Sequence, residues 1–193
     1  GTITLKNTIV AGNSATSNQG PDCVGPVLSA GYNLIADSTD CMFSSTTGDL
    51  TDIDPKLSAL IGSPGYHPLQ AGSPAINAGN PAAPGSGGNA CLADDARGLT
   101  RPIGGRCDIG AYEYSAPGSL TSISVFSGDI QYAGPGLPFL HPLKVFALDS
   151  QNSPVPNVSV TFTAPASGAS GTFAATGTRT TTVVTDASGI ATT

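Results

Sequence analysis

Short apolar runs recur along the first part of the chain at nearly even intervals. Their central residues, Ile9, Leu34, Ile53 and Ile76, are separated by 25, 19 and 23 residues. A period of roughly 20–25 residues is typical of a solenoid, in which each turn lays a strand beside its equivalent in the next turn. The pattern predicts strands over residues 8–10, 32–35, 49–53 and 74–76.

A further short apolar strand is predicted over residues 108–112, marked by Ile109. Ile109 follows Ile76 only after 33 residues, so the last turn is expected to carry an insertion over residues 80–106. Its prolines and the run Gly85-Ser86-Gly87-Gly88 indicate an exposed loop. The predicted core stacks one aliphatic residue per turn: Ile9, Leu34, Ile53, Ile76 and Ile109. Turn positions or stacked amides between turns are expected for Asn7, Asn13 and Asn33.

The pattern changes after a linker at residues 116–120. Val158, Val160 and Phe162 alternate with polar residues, as in a sheet that is buried on one face. Residues 121–193 are therefore predicted to form a second domain with antiparallel strands, and residues 1–115 the first domain. The second-domain strands are expected at 121–127, 142–149, 157–164, 179–185 and from Ile190 onward.

Composition supports a turn-rich all-β protein, because charged residues are only 10% and the chain has 25 glycines and 16 prolines. The net charge of −6 argues against binding to nucleic acid or to anionic lipid. Insertion into a membrane is not expected either, since no apolar run approaches the roughly 20 residues of a membrane helix. The chain begins at Gly1, inside the strand pattern of residues 2–5, which indicates an excerpt of a longer precursor with an open first sheet edge.

Four cysteines without a CxxC spacing favour disulfides in an oxidising compartment. Three pairings are possible. Pairing of sequence neighbours, Cys23–Cys41 and Cys91–Cys107, is favoured because each pair flanks one Gly-rich excursion. The second bridge would close a loop of 16 positions, which corresponds to about 3 kcal/mol in the chain-entropy model.

The segment from Cys91 to Tyr114 concentrates charge, and structural charge pairing is expected between Asp94 or Asp95 and Arg97 or Arg101. The alternative makes Asp94, Asp95 and Asp108 paired carboxylates for glycoside or lyase chemistry. Charge pairing with Arg97, Arg101 and Arg106, together with turn capping, is favoured because each carboxylate has an arginine nearby in sequence. No catalytic residue, cofactor or metal ligand is therefore predicted.

Two weaker candidates for chemistry are also interpreted as structural. His67 and His141 each stand beside a proline without a second ligand at metal spacing. Asp49, Asp52 and Asp54 could supply oxygen ligands to calcium, but no Gly-rich calcium loop follows them. Turn capping beside Pro55 is the favoured interpretation of these aspartates, and calcium stays an open alternative.

Motifs of the first domain resemble a known bacterial pattern. Ser73-Pro74-Ala75-Ile76-Asn77-Ala78-Gly79, Asp95-Ala96-Arg97-Gly98, Arg101-Pro102 and Cys107-Asp108-Ile109-Gly110-Ala111-Tyr112-Glu113 are similar to the C-terminal end of "choice-of-anchor Q" surface proteins. The resemblance implies a short right-handed parallel β-helix. Asn77 stands where that family has Asp, and Ala96 where it has Gln.

The second domain resembles the bacterial Ig-like domains of invasin and intimin type. The resemblance rests on residues 123–129, 142–145, 154–162 and 185–192. It implies an Ig-like β-sandwich, and the family pattern continues with further strands beyond residue 193, so an incomplete sandwich is expected.

Together these observations predict a non-catalytic, extracellular structural module of a bacterial surface protein. It would belong to a filament, sheath, stalk or adhesin that assembles through exposed β edges. Expected partners are other copies of itself or neighbouring surface domains, with host or matrix glycans or proteins as further candidates. The alternative is a carbohydrate-active or glycan-binding β-helix fragment; against it, the solenoid region has few basic residues and the chain has no Trp.

Overall fold

The computed structural model describes residues 3–16, 20–63 and 65–193, and regular structure in this part of the chain consists of β-strands alone. The prediction of an all-β protein is confirmed. The chain divides into two compact units, Gly1–Ser115 and Ala116–Thr193.

The first unit passes three times through two parallel sheets. One sheet has the strand order β1-β3-β5 and the other β2-β4-β6, so each pass adds one strand to each sheet. Residue 2 of the first predicted strand lies outside the described residues. The strand bounds are β1 Ile3–Leu5, β2 Ile9–Val10, β3 Gly25–Ser29, β4 Leu34–Ile35, β5 Cys41–Ser44 and β6 Leu50–Thr51.

Aliphatic side chains stack in register across the second sheet. Ile9 lies opposite Leu34, and Leu34 lies opposite Leu50. The prediction that Ile53 supplies the third aliphatic residue is wrong, because its side chain is 41% exposed. The reason is local: Asp52 has a φ of 57°, which takes the chain out of the strand directly after Thr51.

A polar ladder runs along the same corner of the stack. Thr8, Asn33 and Asp49 each precede the stacked aliphatic residue of their turn. The Thr8 N–H donates to Asn33 Oδ1 at 3.1 Å, and the Asn33 N–H donates to Asp49 Oδ1 at 2.8 Å. The second and third turns therefore each use a side chain to satisfy a backbone donor of the turn before it.

Residues 55–114, here called the cap segment, cover one face of the second sheet without adding a named strand to it. Leu34 belongs to a buried cluster with five cap residues: Tyr66, Leu69, Ala75, Ile109 and Tyr112. The next strand residue, Ile35, is equally buried and points to the opposite face. The middle strand of this sheet is therefore covered on both sides.

Two predicted strands of the cap segment are absent from the structure. Residues 74–76 lie in a turn, and the run around Ile109 is irregular. Positive φ angles at Asn77 (54°) and Gly110 (98°) are incompatible with an extended strand at these points. Ile109 is fully buried, and Ile9 and Ile76 pack against the cluster half-buried. Stacking of Ile76 and Ile109 on further turns was a wrong prediction.

The insertion at residues 80–106 is anchored to the stack. Lys6 Nζ donates to the Gly88 carbonyl and Asn7 Nδ2 to the Asn89 carbonyl, both at 2.8 Å. Asn89 Nδ2 in turn donates to the Ala30 carbonyl at 3.0 Å. The expectation of an exposed loop is confirmed for residues 81–89, which are exposed apart from the half-buried Pro84. The same loop also folds back onto the first and second turns.

The second unit contains two antiparallel sheets, with the strand orders β11-β8-β7 and β10-β9. A bulge between Val125 and Ser127 shifts the pairing of β7 with β8. The buried apolar residues include Phe146, Val160 and Ala191. The strand bounds are β7 Ser122–Ser127, β8 Lys144–Leu148, β9 Ser159–Thr163, β10 Thr180–Val184 and β11 Ile190–Thr192.

Candidate functional site

The charged residues of the cap segment form a buried network that begins at Asp95. Its carboxylate pairs with the Arg97 guanidinium at 2.8 Å, and both side chains are almost completely buried. The same carboxylate accepts the backbone N–H groups of Arg97, Leu99 and Glu113. The first two of these bonds form the local turn that places Arg97 beside Asp95.

Arg101 and Glu113 continue the network. Arg101 Nη1 lies 3.5 Å from a Glu113 oxygen, and the guanidinium donates to the carbonyl oxygens of Asp108 and Gly110. Glu113, which is the single glutamate of the chain, accepts the backbone N–H groups of Ile103 and Asp108. A carboxylate with this many donors tolerates complete burial, which would otherwise be very costly.

Asp108 ties the network to the turn at residue 77. Its two oxygens accept the N–H groups of Asn77 at 2.7 Å and of Tyr114 at 2.5 Å. Asn77 Oδ1 accepts the N–H groups of Gly105 and Arg106. Three stretches that are distant in sequence, around residues 77, 95–106 and 108–114, are therefore held together by hydrogen bonds to buried polar groups.

The two aspartates of the network differ in acidity. Burial raises the pKa of Asp95, but hydrogen bonds from Arg97, Glu113 and Leu99 outweigh this effect, and the pKa lies below its ordinary value. Burial raises the pKa of Asp108 to about 6, although the N–H groups of Asn77 and Tyr114 favour its ionised form. Asp108 is therefore a weaker acid than an ordinary aspartate.

An aromatic stack closes the network on the side of the apolar cluster. The Arg97 guanidinium lies 3.8 Å from the centre of the Tyr112 ring, and Tyr112 stacks on Tyr66 with ring centres 5.7 Å apart. A guanidinium over an aromatic face is stabilised by the ring quadrupole. The charged and apolar parts of the cap segment are thus one packed unit.

Two of the predicted charge partners, Asp94 and Arg101, do not form the predicted ion pairs. Asp94 is exposed and accepts a hydrogen bond from Thr100 Oγ1, and it makes no ion pair in the described part of the chain. Arg101 pairs with Glu113 instead of with either aspartate. Pairing by sequence proximity fails here because the Arg101 side chain is directed toward residues 108–113, which come beside it only in the fold.

Two disulfides join Cys23 to Cys41 and Cys91 to Cys107, with Cα–Cα distances of 5.3 and 6.6 Å. These are the pairs that the sequence analysis expects. Gly79 lies against the second bridge: a Cβ on it would stand 2.6 Å from Cys107 Sγ and 2.8 Å from the Cys107 carbonyl oxygen. No side chain fits there without displacement of the bridge or the backbone.

Sequence reasoning missed the roles of Glu113 and Asn77. The signal for Glu113 is its position, since a lone glutamate directly follows an apolar run and must find donors if that run is buried. For Asn77 the signal is the residue type: asparagine tolerates positive φ, and Asn77 adopts a φ of 54° in its turn. Ala96 packs against the apolar cluster.

The remaining sequence candidates lie apart from this network. His67 Nδ1 lies 2.8 Å from the Ser58 carbonyl oxygen, and His141 is exposed in the second unit. Asp49, Asp52 and Asp54 each bond a different partner: the N–H of Asn33, Ser38 and Lys56 respectively. Within residues 3–16, 20–63 and 65–193, no group of three or more acidic, His or Cys side chains could hold a metal ion.

A cavity of about 690 Å³ lies in the first unit, next to the outermost strand of the second sheet. Ile9 and Ala11 line it from the sheet, while Tyr66 and Leu92 line it from the cap segment. Its polar lining includes Asp94 and Arg101, the latter already engaged in the network.

The second unit exposes apolar residues on and after β7. Ile123 and Val125 of this edge strand are exposed, and so are five large apolar residues in the connection to β8, among them Tyr132 at 97%.

The two disulfides of the first unit indicate an oxidising environment. No helix in the described ranges is long and apolar enough to cross a membrane. Comparison of the chain with protein-family models, with curated proteins and with solved structures gives no match.

Proposed function

We propose that the chain is a non-catalytic structural module of an extracellular bacterial surface protein. It would consist of the last turns of a right-handed parallel β-helix followed by an Ig-like β-sandwich, as the sequence motifs imply. It would serve in a filament, sheath, stalk or adhesin whose subunits meet through exposed strand edges.

The observation that carries the proposal is how the acidic side chains are used. Asp95, Asp108 and Glu113 are all buried, and each accepts at least two backbone N–H groups. Carboxylates that act on a sugar must reach the glycosidic bond from a cleft. These three carboxylates instead hold distant stretches of the backbone together, which is a structural use.

The stacked architecture supports the same proposal. Parallel turns with in-register aliphatic residues bury a continuous core and can be extended by adding turns, which suits a stalk or a fibre. Among the described residues, the outermost strands of the two three-stranded sheets pair with a named strand on one side only: β1 and β2 at one end, β5 and β6 at the other. Free edges are templates for pairing with another chain.

Sedimentation velocity on the full chain over a range of concentrations, together with glycan-cleavage and glycan-array assays, tests the proposal. We expect reversible association that grows with concentration, no cleavage of neutral or acidic polysaccharides, and no glycan binding. Turnover of a polysaccharide that is lost in an Asp108→Asn variant would support the carbohydrate-active alternative. A chain that stays monomeric at every soluble concentration would remove the assembly claim.

A further inference from the structure

We draw no further inference here: the strongest candidate, the exposed apolar residues of the edge strand β7 and of the connection from β7 to β8, carries nothing because nothing in the structure shows what covers them.

Discussion

The acidic residues of the cap segment differ in how many hydrogen bonds their carboxylates accept. Asp95 accepts three backbone N–H groups and pairs with Arg97, whereas its neighbour Asp94 is exposed and bonds only the Thr100 hydroxyl among the described residues. Removing a buried acceptor leaves its donors without partners, which costs more than the bonds contribute when they are present. The two adjacent aspartates should therefore respond very differently to the same substitution.

Asp95→Asn is expected to lower the free energy of unfolding by about 3–5 kcal/mol, because it leaves the Arg97 guanidinium buried without its counter-charge. Asp94→Asn is the matched control and should change it by less than about 0.5 kcal/mol. Urea unfolding followed by circular dichroism measures both values. Similar losses in the two variants would show that the network does not stabilise the fold.

Asp108 gives the stability a pH dependence with a defined sign. Its pKa is raised from 3.8 to about 6 in the folded state, so the folded state holds the proton more tightly than the unfolded state. The stabilisation is complete below pH 3.8 and is lost as the pH rises through 6, at most about 3 kcal/mol. The lowered pKa of Asp95 has the opposite effect on stability. Its ionised form stabilises the folded state above the ordinary aspartate pKa, and this stabilisation is lost as the pH falls through the lowered pKa.

Urea unfolding of the wild type and of Asp108→Asn between pH 4 and 7 isolates this contribution. The wild type should lose stability relative to the variant as the pH rises across that window. If the free energies of unfolding of the two proteins change in parallel with pH, Asp108 is not the source of this pH dependence.

Sequence reasoning at the residue scale succeeds where partners are neighbours. Asp95 and Arg97 are two positions apart, and a turn brings them together without help from the rest of the fold. Arg101 and Glu113 are twelve positions apart, and their contact depends on how the cap segment folds back on itself. Only the tertiary structure identifies that pair.

At the scale of elements, the stack of the first unit is defined by Ile9, Leu34 and Leu50, not by every apolar residue near a strand. Leu34 is fully buried between its neighbours and the cap segment. Ile53 follows the turn at Asp52 and lies outside the strand.

Leu34→Ala should lower the free energy of unfolding by about 2–5 kcal/mol, because it removes transfer free energy and leaves a cavity. Ile53→Ala, at an exposed site, should cost less than about 1 kcal/mol. Thermal and urea denaturation of the two variants compare them directly. A larger loss for Ile53 would restore the original assignment of the core.

The elements that the sequence predicts well are those with a local signature. The strands of the second unit lie within their predicted ranges because alternation with period 2 identifies a half-buried strand by itself. The run at residues 49–53 contains both Leu50 and Ile53, and hydrophobicity alone does not separate them. Residues 74–76 and 108–112 have strand-like composition, but the positive φ angles at Asn77 and Gly110 bend the chain into turns.

The molecule consists of two units, and in the described part of the chain each unit has strands that pair on one side only. The first unit has edge strands at both ends of its stack, and the second has β7, whose apolar side chains are exposed. The edge strands of the first unit are only two to four residues long, which limits pairing at an edge, whereas β7 has six residues. β7 is therefore the edge that best fits the proposed role as a building block.

Electron cryomicroscopy of the full chain in its associated state tests the proposed assembly most directly. The account predicts ordered assemblies in which a strand of a neighbouring chain pairs with an exposed strand edge. Particles that contain one chain, with the edges of β1, β2 and β7 facing solvent or covered by the chain's own residues, would contradict it.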